Sequence, residues 1–461
     1  MLNRMQLTFQ GAAQAVTGSL HQLEVDGKKY LLDCGMYQGR RREAEKLNRD
    51  FPFPPSSIDA VVLSHAHIDH SGRLPLLVKE GFRGPIYATP ATIDLCAAML
   101  RDTAHIAESD ADFVNRHHPE DPAAEPLYTI EDAAAAMKQF RPTPYRTPTI
   151  IGPGLTMESY DAGHILGSSS IVLTHGNLRL AFSGDVGRKG MPIIRDPQPL
   201  PPVDYLIMES TYGGRKHPQT GDALGKIEQI VRRTISGGGR LIVPAFAVGR
   251  TQELVLLLHQ LMNEQRLPTV PIFVDSPLAL NVTEVFRAHP ECFDEETNAY
   301  LRSNQDPFGF KRLTYIRDVN ESKALNGRKG PFIVISASGM CEAGRILHHL
   351  RNNIGDRKNT VLLTGYQAEN TLGRKLKDGW KSVRIFGIPT EVLAHVESLD
   401  ELSAHADAGE LLGWMEPMTS TLKRVFLVHG EPAQSKALAD AIAARYRIEA
   451  IPVVRGQVNV L

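Results

Sequence analysis

The segment Ser64-His65-Ala66-His67-Ile68-Asp69-His70-Ser71-Gly72 places four side chains that can ligate a metal ion within six residues. It follows the apolar run 58–63, which predicts a buried strand, so the donors leave the end of a rigid element. His65 and His67 are two apart, and on an extended backbone their rings project to one side. Asp69 and His70 are adjacent and must diverge as the chain turns into a helix. One ion could take the first pair and a second ion the other. The alternative is ordinary surface histidines at a turn, which the density of four donors between a strand and a Ser-Gly turn disfavours. Imidazole and carboxylate without thiolate point to zinc or a similar divalent ion, not to an iron–sulfur cluster or a closed structural site.

The pattern resembles the H-x-H-x-D-H motif of the metallo-β-lactamase superfamily, and that resemblance implies further donors downstream. Asp161-Ala162-Gly163-His164 lies in a turn-rich segment. Phe182-Ser183-Gly184-Asp185 closes a strand that pairs with 169–174 across the turn Gly176-Asn177. By resemblance His164 is the third imidazole for the first ion and Asp185 the bridging carboxylate, since a group with two oxygens can hold two cations about 3.5–4 Å apart. His429 completes the second set with Asp69 and His70. An earlier hairpin has the same plan: residues 22–25, the turn Asp26-Gly27, then 29–32 ending in Asp33-Cys34-Gly35. The resemblance makes Asp33 a residue that orients a ligand ring by hydrogen bonding. A turn-forming aspartate is the other reading.

Most of the chain is similar to one branch of that superfamily, the β-CASP nucleic-acid hydrolases. The segments that carry the similarity are Glu209-Ser210-Thr211-Tyr212-Gly213, Pro244-Ala245-Phe246-Ala247-Val248-Gly249-Arg250-Thr251-Gln252-Glu253, Asp275-Ser276-Pro277-Leu278-Ala279, Ser336-Ala337-Ser338-Gly339-Met340, Ser403-Ala404-His405-Ala406-Asp407 and Val428-His429-Gly430-Glu431. Singly none would convince; their order behind the metal motif makes chance agreement very improbable. The implied fold is α/β, an αββα metallo-β-lactamase sandwich with an inserted parallel-sheet β-CASP domain. The expected domains are 1–207 and 393–461 for the sandwich and 208–392 for the insertion.

The residue pattern itself agrees. Hairpins and short strands dominate up to about Leu206, apart from a helical excursion over 91–140, whose alanine-rich part 131–139 reads as a solvent-facing helix. Beyond it strand and helix alternate: 240–243 and 251–263, 270–274 and 277–287, 332–335 and 344–353, 360–364 and 371–377. Such alternation predicts a parallel sheet flanked by helices. The tail, strand 425–428 and helix 432–445, must return to the metal domain if His429 is a ligand.

At 461 residues the chain has length for two or more domains with full cores. No apolar run reaches membrane-spanning length and Met1-Leu2-Asn3-Arg4 has no signal-peptide plan, so a cytoplasmic protein without membrane contact is expected. Cys34, Cys96, Cys292 and Cys341 are scattered and form no C-x-x-C pair, which argues against disulfides and thiolate sites. A balance of 51 basic and 52 acidic residues, net charge −1, does not advertise long-footprint duplex binding. A cleft needs only local positive charge, and two metal ions supply much of it.

In open parallel sheets ligands bind beyond the carboxyl ends of the strands, which here carry Arg250, Ser338-Gly339-Met340 and Tyr366-Gln367. Ser338-Gly339 precedes a helix whose free N–H groups could hold a phosphate oxygen, or it is only a turn. Arg250, Arg345 and Arg374 start helices near that edge, as phosphate contacts or as plain surface arginines. No P-loop run is present, so a nucleoside triphosphatase is not supported.

The resemblance implies a zinc-dependent endonuclease acting on single-stranded RNA, with two Zn2+ per chain. His65, His67 and His164 hold one ion, Asp69, His70 and His429 the other, and Asp185 bridges them. A hydroxide activated between the ions attacks phosphorus. His405 is then the general acid for the leaving oxygen, with Glu209 as its partner, or a satisfied core histidine. Expected partners are single-stranded RNA and, left open, a second copy of the chain. The alternatives are a small-ester or lactam metallohydrolase and a non-catalytic RNA-processing subunit. The first has no use for a large inserted wall, and the second is disfavoured because every expected ligand is present. Without the added terminal domains of J-type ribonucleases, internal cleavage is expected over five-prime exonuclease action.

Overall fold

The first hairpin of the computed structural model, which describes residues 5–39, 41–117, 120, 122–217, 223–303, 305–365, 367–368 and 370–461, forms as its residues require. Asp26 and Gly27 take φ of 51° and 78°, the turn whose twist matches two flanking strands. It joins His21–Val25 to Lys28–Leu32, with Leu23 opposite Tyr30 and His21 opposite Leu32. Met5–Phe9 pairs antiparallel with this ribbon and Val458–Val460 extends its edge. On the other side Ala60–Val62, Ile86–Ala88 and Phe140–Pro142 continue in parallel, for seven strands in all.

A second seven-stranded sheet runs in the order Glu449–Pro452, Arg424–Val428, Tyr205–Glu209, Leu178–Phe182, Ser169–His175, Leu155–Asp161, Thr149–Gly152. Alternate residues of the two sheets meet in one core: Leu7, Phe9, Leu23, Leu32 and Val62 from the first, Met157, Leu173, Phe182 and Phe426 from the second. Truncating a ring as fully enclosed as Phe182 to alanine costs about 3–5 kcal/mol. The other face of the second sheet, with Leu206, Met208, Val425 and Leu427, is covered by helices Ala408–Met415 and Pro432–Tyr446 through Leu411, Trp414, Leu438 and Ile442. Residue contacts group Met1–Gly190, Arg195–Lys216 and His405–Leu461 into this first unit.

The helical excursion differs from expectation in two ways. It consists of Pro90–His117 and Ile130–Met137 and stops before Phe140, which enters a strand. The alanine-rich helix is not solvent-facing all round. Thr129 and Asp132 close a capping box at its start, and Ala133 and Ala136 are buried as it packs on Leu74–Lys79 and Pro90–His117. Short side chains allow that close approach, so their composition marked a contact face.

The second unit, Met191–Ile194 with His217–Ala404, is built on six parallel strands. Their order is Leu313–Tyr315, Ile272–Val274, Ile333–Ser336, Leu241–Pro244, Thr360–Thr364, His395–Leu399. His395–Leu399 pairs with Thr360–Thr364, so the sheet of this unit runs on to Leu399. Helices Arg250–Asn263, Pro277–Ala288, Arg345–Asn353 and Leu372–Lys377 alternate with the strands, and a two-stranded hairpin, Ser382–Ile385 with Ile388–Glu391, stands apart from the sheet. Tyr366 lies outside the described residues. Among those described, no helix is long and apolar enough to cross a membrane, and the four cysteines are buried with none in a disulfide.

Candidate metal centre

Strand Ala60–Val62 runs out at Ser64, and Asp33 anchors the turn that follows. Its Oδ1 accepts the Ser64 N–H at 2.8 Å and its Oδ2 accepts the Ser64 hydroxyl at 3.0 Å. With its proton committed to Asp33, the Ser64 oxygen, 3.0 Å from His65 Nδ1, is an acceptor for that ring, which leaves His65 Nε2 as a lone pair. His67 stands just before the short helix Ile68–Ser71, its side chain making no capping bond and so left to face the pocket. His65 Nε2 and His164 Nε2 lie 3.1 and 3.2 Å from His67 Nδ1. Ligands 2.0–2.1 Å from a tetrahedral ion are about 3.3 Å apart, so these three nitrogens have the spacing of a coordination sphere.

The second group is oriented in the same way. Asp33 Oδ2 takes His70 Nδ1 at 2.7 Å and is also held by the Ser19 hydroxyl at 2.9 Å. That bond fixes the tautomer that presents Nε2. Opposite it, the Thr211 hydroxyl donates to the His429 carbonyl at 3.0 Å and stands 3.1 Å from His429 Nδ1, so that ring too presents Nε2. The two Nε2 atoms are 3.2 Å apart, and Asp69 Oδ2 is 3.3 Å from that of His429. His429 leaves strand Arg424–Val428 with φ of 49°. The next residue must be small, because a Cβ on Gly430 would stand 2.3 Å from Ser210 Oγ.

Asp185 joins the groups. Its Oδ2 is 3.5 Å from His65 Nε2, 3.6 Å from His164 Nε2 and 3.3 Å from His70 Nε2. Gly184, at φ of 56°, lets that loop reach the motif, since a Cβ there would meet Ser64 Cβ at 2.7 Å. Asp185 is buried and its Oδ1 has no hydrogen-bond partner, a costly state unless a cation completes it. Burial would raise the Asp185 carboxyl, but the imidazoles of His429 and His70 outweigh it and hold it well below the usual range. Burial opposes the His70 proton, yet Asp185 and Asp33 lift that imidazole well above its ordinary value. Burial, helped by His70, pushes His65 far down. Two sets of donors that can hold a metal ion, His65, His67, His164 with Asp185, and Asp69, His70 with His429, therefore share one pocket.

Beside them His405 Nδ1 is 3.2 Å from Glu209 Oε1. Glu209 ends strand Tyr205–Glu209 and is held as a fully buried carboxylate by the N–H groups of Val186, 2.7 Å, and Thr211, 3.3 Å. Burial would lower His405, but the charge of Glu209 prevails and brings it up to about 9.

The structure thus brings His65, His67, Asp69, His70, His164, Asp185, His429, Asp33, His405 and Glu209 together within the first unit. Arg250, Ser338, Gly339, Met340 and Arg345 belong to the second. There Arg250 is buried against the Glu253 carboxylate, and Arg345 Nη1 is bound to Asp275 at 2.7 Å. Arg374 pairs with Asp378 at 2.9 Å. Ser338 and Gly339 precede the helix that begins at Arg345, and the Ser338 N–H donates to the Ala343 carbonyl.

Sequence reasoning missed Ser19, Ser64 and Thr211, which orient three of the rings. Ser64 and Thr211 stood inside quoted motifs, one residue before His65 and two after Glu209. Ser19 carried no signal, because its role depends on two loops meeting.

Three family models match the chain: the metallo-beta-lactamase superfamily over residues 23–238, the Beta-Casp domain over 251–376, and the Zn-dependent metallo-hydrolase RNA specificity domain over 389–452. A ribonuclease of Thermus thermophilus is 37% identical over 94% of this chain and 95% of its own. An RNase J-like protein of Methanocaldococcus jannaschii is 31% identical over 98% of this chain and 99% of its own. Transcription termination factor FttA of Methanosarcina mazei is 29% identical over 96% of this chain and 70% of its own. Among solved structures, a protein of unknown function from Enterococcus faecalis superposes with a TM-score of 0.57 at 12% identity, over 99% of this chain and 100% of that one, a likeness of fold.

Proposed function

Because this chain belongs to the β-CASP branch of the metallo-β-lactamase superfamily, we propose that it is a zinc-dependent ribonuclease that hydrolyses phosphodiester bonds inside single-stranded RNA. The observation that carries this reading is the single oxygen Asp185 Oδ2 lying within 3.6 Å of imidazole nitrogens from both donor groups. His65, His67 and His164 would hold one zinc ion and Asp69, His70 and His429 the other, with Asp185 shared. Such a pair supplies an activated hydroxide and neutralises charge growing on the phosphoryl oxygens. The ribonuclease name of the Thermus relative and the RNA specificity domain support RNA as the substrate.

The chain's own residues supply the rest. Asp33, Ser64 and Thr211 keep the ligand rings in the tautomers that expose a lone pair to the pocket. His405, kept protonated by Glu209, donates its proton to the departing ribose oxygen, a general-acid contribution of roughly 10²–10⁴-fold. The Val186 and Thr211 N–H groups fix the Glu209 side chain, which in turn holds the His405 imidazole in place.

The test is incubation of metal-loaded protein with end-labelled single-stranded RNA, with and without chelator. Internal fragments that vanish on chelation are expected. Intact RNA alongside turnover of a lactone or thioester would overturn the reading.

A further inference from the structure

We infer that the hairpin Ser382–Ile385/Ile388–Glu391, with Trp380 and His348, is a second RNA-contacting surface that stacks bases and holds phosphates of a single strand. The inference rests on the ribonuclease reading above. Its inner residues Val383 and Ile385 are buried with Leu372 and Leu376 in the core of the second unit. Large apolar residues of the same segment are nonetheless exposed: Trp380 and Phe386 are each 52% exposed and Ile388, paired with Ile385, 48%. The chain has two tryptophans, and the other, Trp414, is buried.

Phe386 is the least expected of these. It and Gly387 form the tip at φ of 53° and 74°, the same turn that Asp26 and Gly27 make in the first hairpin. The first position favours Gly, Asn or Asp, and a bulky side chain there is strained. The backbone therefore gives no reason for phenylalanine, and burial gives little, since the side chain is half exposed and its ring lies against exposed His348 at 4.6 Å between centroids. Strain kept for a solvent-facing ring suggests that the ring has a partner.

Charge identifies the partner. Residues 374–391 carry five cations, Arg374, Lys375, Lys377, Lys381 and Arg384, against Asp378 and Glu391, in a chain of net charge −1. Asp378 is neutralised by Arg374, which leaves Glu391, opposite Ser382, as the remaining acid. Lys377, Lys381 and Arg384 are exposed, and Lys375 Nζ sits 5.8 Å from the Trp380 ring centroid. From residue 380 to 386 the extended chain covers about 20 Å, the reach of several nucleotides. Aromatic faces interleaved with cations are what single-stranded nucleic acid selects, whereas protein-docking surfaces are depleted of lysine at their centre. The Beta-Casp match ends at 376 and the RNA specificity match begins at 389, so residues 377–388 lie outside both.

The experiment compares wild type with Trp380→Ala/Phe386→Asn and Lys381→Glu/Arg384→Glu in full-length protein under chelation, so that binding is read without cleavage. The probe is a labelled oligouridylate of about 30 nucleotides, and both variants are expected to bind it roughly tenfold to a hundredfold more weakly. The charge variant should also flatten the salt dependence by about 0.7 for each cation removed. Asparagine suits the turn, so the melting temperature should hold or rise, and metal-loaded hydrolysis of bis(p-nitrophenyl) phosphate should be unchanged. Unchanged RNA affinity, with cleavage intact, overturns this inference and leaves the ribonuclease reading standing. Altered self-association with unchanged RNA affinity also overturns it, in favour of a protein interface. A wild type that neither binds nor cuts RNA overturns both.

Discussion

Asp33→Asn is the substitution that separates an orienting residue from a turn former. Three donors converge on Asp33 Oδ2, from Ser19 at 2.9 Å, Ser64 Oγ at 3.0 Å and His70 Nδ1 at 2.7 Å, and one, the Ser64 N–H at 2.8 Å, reaches Oδ1. Asparagine keeps the shape but has a single acceptor oxygen. Placed at Oδ2, that oxygen keeps the three and leaves the buried Ser64 N–H facing an NH2 group, a loss of about 1–3 kcal/mol. Placed at Oδ1, it forces His70 to carry its proton on Nε2, the atom that should bind metal. The first orientation wins by the count of donors, but its neutral acceptor grips His70 less firmly. Loss of such a partner costs about 10–100-fold in metal affinity, or roughly 1.4–2.7 kcal/mol. Zinc titration against a chromophoric chelator should show one weakened ion and one nearly unchanged, because the Ser64 hydroxyl still serves His65. Unchanged affinity at both positions, or loss confined to the His65, His67 and His164 group, would falsify the orienting role.

His405→Ala should keep its full metal content and lose roughly 10²–10⁴-fold in kcat on RNA. It should lose much less on bis(p-nitrophenyl) phosphate, whose leaving group needs no proton; loss of zinc would instead mark His405 as a ligand. Glu209→Gln removes the charge that raises His405 to about 9. A general acid works below its pKa, so the alkaline fall in kcat should move to lower pH, and an unmoved limb would exclude the pairing. Thr211→Val removes the acceptor for His429 Nδ1 and should weaken one ion about tenfold or more, read by the same zinc titration. Chelation should lower the melting temperature and zinc should restore it, each occupied site adding about 2.7 kcal/mol of unfolding free energy when free zinc is a hundred times the dissociation constant. A melting curve indifferent to zinc would contradict a built site.

Local chemistry made four donors legible before any coordinates, because His65, His67, Asp69 and His70 sit in one short segment, whereas His164, Asp185 and His429 were reached through the resemblance to the superfamily. The alternating strands and helices of the second unit were legible for the same reason, because buried strands and amphipathic helices differ in period. The alanine-rich helix was misread because alanine signals neither face: only its neighbours decide whether it meets solvent or another helix.

Long-range geometry was not legible. The sequence determined which side chains can ligate, donate a proton or stack, since these are properties of residue type and local spacing. Only the tertiary structure decided that Asp185 Oδ2 stands between two groups of rings, that Ser19 reaches Asp33, and that Arg250 and Arg345 are occupied by carboxylates. It also decided that Phe386 faces solvent from a strained turn. Those outcomes depend on how strands, loops and helices pack, from the one-turn Arg250–Glu253 pair to the loops that carry His65 and Asp185, and residue type does not set them.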